Sequence, residues 1–495
     1  MAEEWSSRLK RSQAAQAAGD LAEAARWLRP AVSDPAAPDD ALKQLAAVLR
    51  ARGRPAEATP ALEILTRRKP DSAVAEHNLA AALGDCDRAL ESEAAARRAL
   101  AKGGRAPETW LVLGRSLLAQ GRLDEADAAL RSALALRSDF LPAFRDLAQL
   151  VWMRHGAVDA MAEPLAPLAV LARTREDAAL LLSSILRDTA GDRASFEALA
   201  PWLTRPSPEI ALAAAAAASG FDPALSLQQA RRAATLAHGD PRAALAESAA
   251  LIACGQPDAA APKLELCLTA DPDDQHARAL LLTAWRMTGD ARALTADDYR
   301  RMVRVFPLGE GADRADWLTR TAAALRRLHS FRSHPFQQSV LNGAQSRIDP
   351  RAAGDPDIDR LFEALKSPIQ TYIDEVNPDR PEHAISADWR ISGAWSVKLT
   401  AGGRHTDHVH PRAWISSAVY IETPPQVDAG GREGWLRFGA ARVGAAFSLP
   451  AEHWVRPEPG SLVLFPSCLW HGTEPFTGAG ERLTVAFDVE PEPAR

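Results

Sequence analysis

The sequence predicts an α+β multidomain protein: an all-α repeat array over residues 1–305, a short junction at 306–315, and a β-rich domain with flanking helices over 316–495. Three observations predict it. Up to about residue 300 the chain is rich in alanine and leucine, with apolar residues at helical spacing and few β-branched ones. The turn signal Gly-x-x-x-Glu-Ala recurs at 19–24, 53–58 and 121–126, and Glu23 and Glu57 lie one helical-repeat period apart. Beyond the helix breakers of 305–311, alanine falls while proline, glycine and tryptophan rise, and the apolar runs shorten to strand length.

The repeat is clearest at Trp110-x-x-Leu113-Gly114-x-x-Leu117, followed by Glu125-Ala126, Leu130 and Ala133. This fits the tetratricopeptide pattern, with leucine in the usual tyrosine place. Leu79, Ala80 and Leu83 take the same places one period earlier, and Phe144, Leu147, Ala148 and Val151 one period later. Small residues at these positions let the two helices of a pair approach closely. Between 156 and 250 the pattern decays but still reads as paired helices, and it recovers at Gly255-Gln256-Pro257-Asp258-Ala259. A helix pair cannot bury its apolar stripe alone, so neighbours stack into a solenoid whose concave face suits an extended peptide. In the C-terminal part, helices are expected at 316–329 and 355–376. The second places Leu361, Phe362, Leu365, Ile369 and Tyr372 on one face, and Pro368 is expected to kink or split it. Strands are expected at 394–400, 415–422, 434–439, 461–465 and 482–489.

Composition narrows the function classes. The formal net charge of −6, with acids and bases interspersed, gives no electrostatic grip on nucleic acid. Cys86, Cys254, Cys267 and Cys468 have no paired spacing, so neither a disulfide framework nor a zinc ribbon is indicated, and a cytoplasmic location is expected. The first residues lack a signal-peptide pattern, and no apolar run is long enough to span a bilayer. Protein, peptide or small-molecule partners remain, without nucleic acid or membrane.

The chemistry concentrates near Gly402-Gly403-Arg404-His405-Thr406-Asp407-His408-Val409-His410-Pro411, where three of the twelve histidines crowd together. In a strand, side chains alternate faces, so His408 and His410 share one face and can grip one ion. The same parity allows the alternative pair His405 and Asp407, because a one-residue slip reverses every face. His471 is the candidate third ligand. Beyond it, Arg482 and Thr484 put a guanidinium and a hydroxyl on one face of an apolar strand, and a buried arginine calls for an anion. Two near imidazoles, one distant imidazole and an arginine describe an open iron site beside a carboxylate co-substrate, related to the 2-His-1-carboxylate arrangement. Lys398, on the strand before the glycine pair, faces either the co-substrate or solvent. Ser416 and Ser417 interrupt an apolar strand, and Ser416 is taken as the inward donor to the co-substrate.

These blocks carry a resemblance. The run 393–399, Gly402-Gly403, His408-Val409-His410-Pro411, the runs 414–420, 434–439 and 459–466, and Trp470-His471-Gly472-Thr473 together resemble the 2-oxoglutarate/Fe(II) oxygenase family of bacteria and phages. The likeness extends over about 318–489, because 334–339 and 343–346 resemble that family's opening segment. The whole chain resembles a bacterial tetratricopeptide-repeat protein with such a domain at its C-terminus. The resemblance implies a double-stranded β-helix (jelly-roll) fold with Fe(II) at His408, His410 and His471. It also implies 2-oxoglutarate at Arg482 and Thr484, O2 as oxidant, and Trp395, Trp414 and Trp470 walling the pocket. The activity implied is hydroxylation of a C–H bond, expected in a protein or peptide captured by the repeats. Two other readings stand beside it: a non-catalytic tetratricopeptide adaptor with a vestigial β-domain, and a cupin-like three-histidine dioxygenase that uses no 2-oxoglutarate.

Overall fold

The computed structural model describes residues 2–309, 311–376, 388–444 and 446–492. The chain forms two compact units, Met1–Leu150 and Val151–Arg495.

The first unit is an array of helix pairs joined by short turns. Ala2–Ala17 packs with Leu21–Leu28, Asp39–Ala51 with Pro55–Arg68, Ala73–Gly84 with Ala89–Ala101, and Pro107–Ala119 with Leu123–Leu136. Gly114 shows why the small positions matter: a Cβ there would lie 3.0 Å from the Leu130 side chain, so only hydrogen allows this approach. Gly121, with φ +73°, ends its helix in the left-handed conformation and lets the Arg122 N–H reach back to the Leu117 carbonyl at 3.0 Å.

The second unit begins with helices of the same kind: Glu176–Thr189 with Asp192–Leu199, Pro208–Ala218 with Pro223–Leu236, Pro241–Ala253 with Pro257–Ala270, then Gln275–Thr288. Pairing persists where the sequence pattern weakens because alanines carry the contacts; Ala211, Ala214, Ala215, Ala230 and Ala233 are all buried. None of the described helices is long and apolar enough to cross a membrane.

The β-rich part follows. Its strands are β1 (Arg304–Pro307), β2 (Val340–Gln345), β3 (Trp389–His405), β4 (Ile415–Glu422), β5 (Leu436–Phe438), β6 (His453–Val455), β7 (Ser461–Pro466), β8 (His471–Thr473) and β9 (Arg482–Pro491). A large antiparallel sheet has the order β1-β7-β4-β9-β3-β2 and a small one the order β6-β5-β8. Strict alternation along β9 gives the large sheet its two faces. Leu483, Val485, Phe487 and Val489 bury against helices Arg314–Arg326 and Pro356–Val376. Arg482, Thr484, Ala486 and Asp488 point the other way and line a cavity. Pro368 does not split the helix Pro356–Val376: the stripe of Leu361, Phe362, Leu365, Ile369 and Tyr372 is buried along its whole length.

The composition break at 305–311 is not a break in packing. Arg304–Pro307 forms edge strand β1, paired with β7 from Ser461 to Leu464, and the Leu308 N–H donates to the Gly460 carbonyl at 2.7 Å. The last repeats also share an apolar cluster with the β-domain: Leu251, Leu264, Leu280 and Leu281 pack together with Ala441, Val443, Cys468 and Trp470.

Candidate metal centre

The centre is built where β3 runs out and β8 begins. His408 is paired with His471 by two backbone hydrogen bonds, N–H to carbonyl in each direction at 3.0 Å. The His410 N–H donates to the Ser467 carbonyl at 3.2 Å. Gly472 permits the approach, because a Cβ there would lie 2.6 Å from the Asp407 carboxylate. Residues 408–410 are thus an extended segment held by one bridge, not a continuous strand, yet the expected parity holds across Val409. Val409 turns away into the apolar cluster of the last repeats.

His408, His410 and His471 each offer a ring nitrogen, and these atoms all lie within 4.8 Å of one another. The rings are held from behind. His408 Nδ1 is 2.8 Å from the Thr406 carbonyl, His471 Nδ1 is 2.9 Å from the Leu469 carbonyl, and His410 Nδ1 is 2.7 Å from Asp488 Oδ1. Carbonyl and carboxylate oxygens only accept, so each Nδ1 carries the proton and each Nε2 turns a lone pair inward. The Nε2 atoms of His408 and His410 are 3.2 Å apart. Two inward lone pairs at that distance suit a shared cation, and an all-imidazole donor set suits Fe(II) among other transition metals. Burial, and then the neighbouring imidazole of His410, push His408 down to about 3. Burial, and then the imidazoles of His408 and His410, hold His471 well below the ordinary histidine value. Both imidazoles are thereby kept in the neutral form that ligates a metal.

The members of the alternative pair have other partners, although His405 lines the same cavity. Asp407 accepts from Arg437 through both oxygens, at 2.9 and 2.6 Å, and Arg437 also donates to Glu474 at 3.0 Å. His405 Nδ1 lies 2.8 Å from Ser339 Oγ, with its ring stacked beside His408.

Arg482 is 2 % exposed and lines the same cavity, which has a volume of about 780 Å3. Its Nη1 donates to Thr473 Oγ1 at 3.0 Å and its Nη2 to the Tyr420 hydroxyl at 3.2 Å, while Nε has no partner. Among the described residues no carboxylate pairs with it. Thr484 lies next to it on the same face, buried and also lining the cavity.

Two expected contacts are corrected. Lys398 does not line the cavity. It sits opposite Leu483 in the β3–β9 register, so it shares the helix-covered face, with its Nζ 3.8 Å from Glu481. Ser416 does lie on the cavity side, but its hydroxyl is taken up by Ser467 Oγ at 2.8 Å and by Asp488 Oδ1 at 3.1 Å. Of the three tryptophans, Trp395 lines the cavity and stacks on His410, with ring centroids 5.8 Å apart. Trp414 packs against the helix-covered core, and Trp470 points into the repeats, where its indole N–H donates to Thr283 Oγ1 at 3.0 Å.

Sequence reasoning missed Asp488, Tyr420, Thr473 and Ser339. Asp488 was within reach of the parity argument, as the fourth even-numbered residue of β9 after Arg482, Thr484 and Ala486.

Residues 393–488 match the family described as "Putative 2OG-Fe(II) oxygenase", a stretch that contains every residue of the histidine cluster together with Arg482, Thr484 and Asp488. None of the curated proteins compared with the chain matches it. Among solved structures, a tetratricopeptide repeat protein from Parabacteroides merdae is 13 % identical, with 57 % of this chain and 99 % of that one covered, at a TM-score of 0.35. Yeast Tom70 is 12 % identical, with 55 % of this chain and 60 % of that one covered, at 0.42. A Pseudomonas putida prolyl-4-hydroxylase is 18 % identical, with 40 % of this chain and 97 % of that one covered, at 0.27. The chain joins a tetratricopeptide-like helical region to a C-terminal domain of the 2OG-Fe(II) oxygenase type.

Proposed function

We propose that the protein is an Fe(II)- and 2-oxoglutarate-dependent dioxygenase that hydroxylates a C–H bond in a protein or peptide held by the repeats. The observation that supports this reading is a pairing within one cavity: three imidazoles, and a buried guanidinium that no carboxylate among the described residues pairs with. A buried unpaired charge is costly, so the site is suited to an anionic ligand that arrives from outside. That separates the reading from a three-histidine oxygenase that needs no acidic co-substrate.

His408, His410 and His471 would hold Fe(II) through Nε2. When bound, the metal supplies, with 2-oxoglutarate and O2, the oxidation that yields succinate, carbon dioxide and a hydroxylated product. The other roles belong to the chain. Arg482 and Thr484 bind the distal carboxylate of the co-substrate, and Thr473 and Tyr420 fix the guanidinium plane. Ala418, Leu436, Phe465 and Ala486 line the cavity with apolar surface that excludes water. Gln337, Gln338, Ser392 and the Arg390–Glu490 pair add polar groups to the lining that can hydrogen-bond a peptide backbone.

The reading is tested by anaerobic titration of the full chain with Fe(II) and then 2-oxoglutarate. A weak metal-to-ligand charge-transfer band is expected, and its absence at saturating Fe(II) would remove the co-substrate from the scheme. The protein-substrate part is tested by comparing kcat/KM on a captured partner for the full chain and for residues 151–495. An unchanged value would exclude the helices of residues 1–150 as the part that holds the partner.

A further inference from the structure

The centre has a charge problem. A site of two histidines and one carboxylate contributes one negative charge to the metal, whereas His408, His410 and His471 contribute none. Arg482 adds a second buried positive charge to the same cavity. With a dianionic co-substrate bound, the two-histidine, one-carboxylate arrangement closes to neutrality, and this one retains one excess positive charge. In a buried site that excess is costly, because low-dielectric surroundings screen it poorly.

Asp488 stands where it can correct this. It lies on the cavity face of β9, with its two oxygens 2.7 and 2.8 Å from His410 Nδ1. No lysine or arginine among the described residues pairs with it, so its charge is directed at the imidazole. Ser416 Oγ donates to Oδ1 at 3.1 Å and is itself tied to Ser467, whose carbonyl receives the His410 N–H. Ligand and carboxylate are therefore positioned by one network. We propose that Asp488 is the charge-compensating carboxylate of this centre, one imidazole removed from the metal, so that His410 and Asp488 together replace the usual carboxylate ligand. Ser416 is then a positioning residue for Asp488 and not a contact of the co-substrate. This inference rests on the metal-binding reading of the three histidines.

The test separates charge from orientation. Asp488→Asn keeps an oxygen that can accept the Nδ1 proton but removes the charge, Asp488→Ala removes both, and Asp488→Glu restores the charge. Fe(II) affinity of the full-length variants is measured anaerobically by competition with a chelating dye, with circular dichroism as a control of fold. Asp488→Asn is expected to lose about 10- to 100-fold in affinity, as outer carboxylates of metal sites do, with partial recovery in Asp488→Glu. With 2-oxoglutarate added, its charge-transfer band should move to higher energy, because a less electron-rich metal gives up its electron less readily. If Asp488→Asn binds Fe(II) as the parent does and only Asp488→Ala is weakened, the residue merely orients the ring and the proposal is overturned. Should Asp488→Asn not fold, Ser416→Ala reads the same network: a severalfold loss supports the proposal and an unchanged affinity overturns it. A parent protein that binds Fe(II) but shows no band with 2-oxoglutarate would defeat the oxygenase reading alone, since the affinity comparison stands without the co-substrate.

Discussion

A chain beginning at Leu308 should not make a stable iron-binding domain, although the sequence changes character just before it. The cut removes β1 from the edge of β7 and strips the repeat helices from the cluster that buries Ala441, Val443, Cys468 and Trp470. Re-exposing Val443 and Trp470 alone costs about 1.5–3 kcal/mol each, or roughly 3–6 kcal/mol together. Stability of a whole domain is about 5–15 kcal/mol, so little would be left. Polar links go as well: Arg286 donates to the Gly439 and Pro450 carbonyls at 2.6 and 2.9 Å, and the Gln275 N–H donates to the Pro411 carbonyl at 3.2 Å. The assay compares residues 308–495 with residues 151–495 by thermal melting and by Fe(II) affinity. The shorter chain should aggregate, or melt roughly 10 °C or more below the longer one, and should lose most of its affinity for the metal. Equal melting temperature and equal affinity in the two chains would refute the argument and restore a true domain boundary near residue 308.

Other expectations follow from single residues. Arg482→Ala should weaken 2-oxoglutarate binding by about 30-fold, read from the charge-transfer band, while Fe(II) still binds. His410→Ala should abolish Fe(II) binding with the helical circular dichroism intact, whereas Asp407→Ala, which breaks only the pair with Arg437, should weaken it by about 10-fold; the reverse order would restore the His405/Asp407 register. His329 titrates oppositely to a histidine that gains a charged partner. Burial, and then Lys398, push it down to about 4 against the opposing Glu481, so its contribution to stability is complete above its unfolded value near 6.5 and is lost as pH falls from there towards 4. Melting temperature should drop across that window, and His329→Gln should flatten the drop.

What was legible in the sequence is what one segment can show by itself. The histidine density, the parity of His408 and His410, and the shared face of Arg482 and Thr484 all follow from a two-residue period within one stretch. The face of Lys398 does not. It depends on which β9 residue lies opposite, and the register puts Leu483 there, on the side away from the cavity. Ser416 was placed on the right side but given the wrong partner, because that partner, Asp488, lies 72 residues away. The short strands β1, β6 and β8 are three or four residues long and carry no period to read. The continuity of the repeats with the β-domain was hidden for the same reason, since Trp470 looks like a pocket wall until its partner Thr283 is known.

That continuity bears on the metal centre. The ligands do not sit in the middle of long strands, where the ladder alone would hold them; His408 and His410 lie in an extended segment with a single bridge, and His471 opens a three-residue strand. Each ligand segment is instead anchored by the residue beside it. Val409, between the two near histidines, and Trp470, just before the distant one, both turn into the cluster formed by the last repeat helices. Period-two alternation makes this possible: the side chains that face the cavity carry the chemistry, and those between them take their footing in the repeats. A site built on short segments acquires rigidity from packing on its far side. The repeat helices of the second unit are therefore part of what positions the imidazoles, whatever else their exposed surfaces bind.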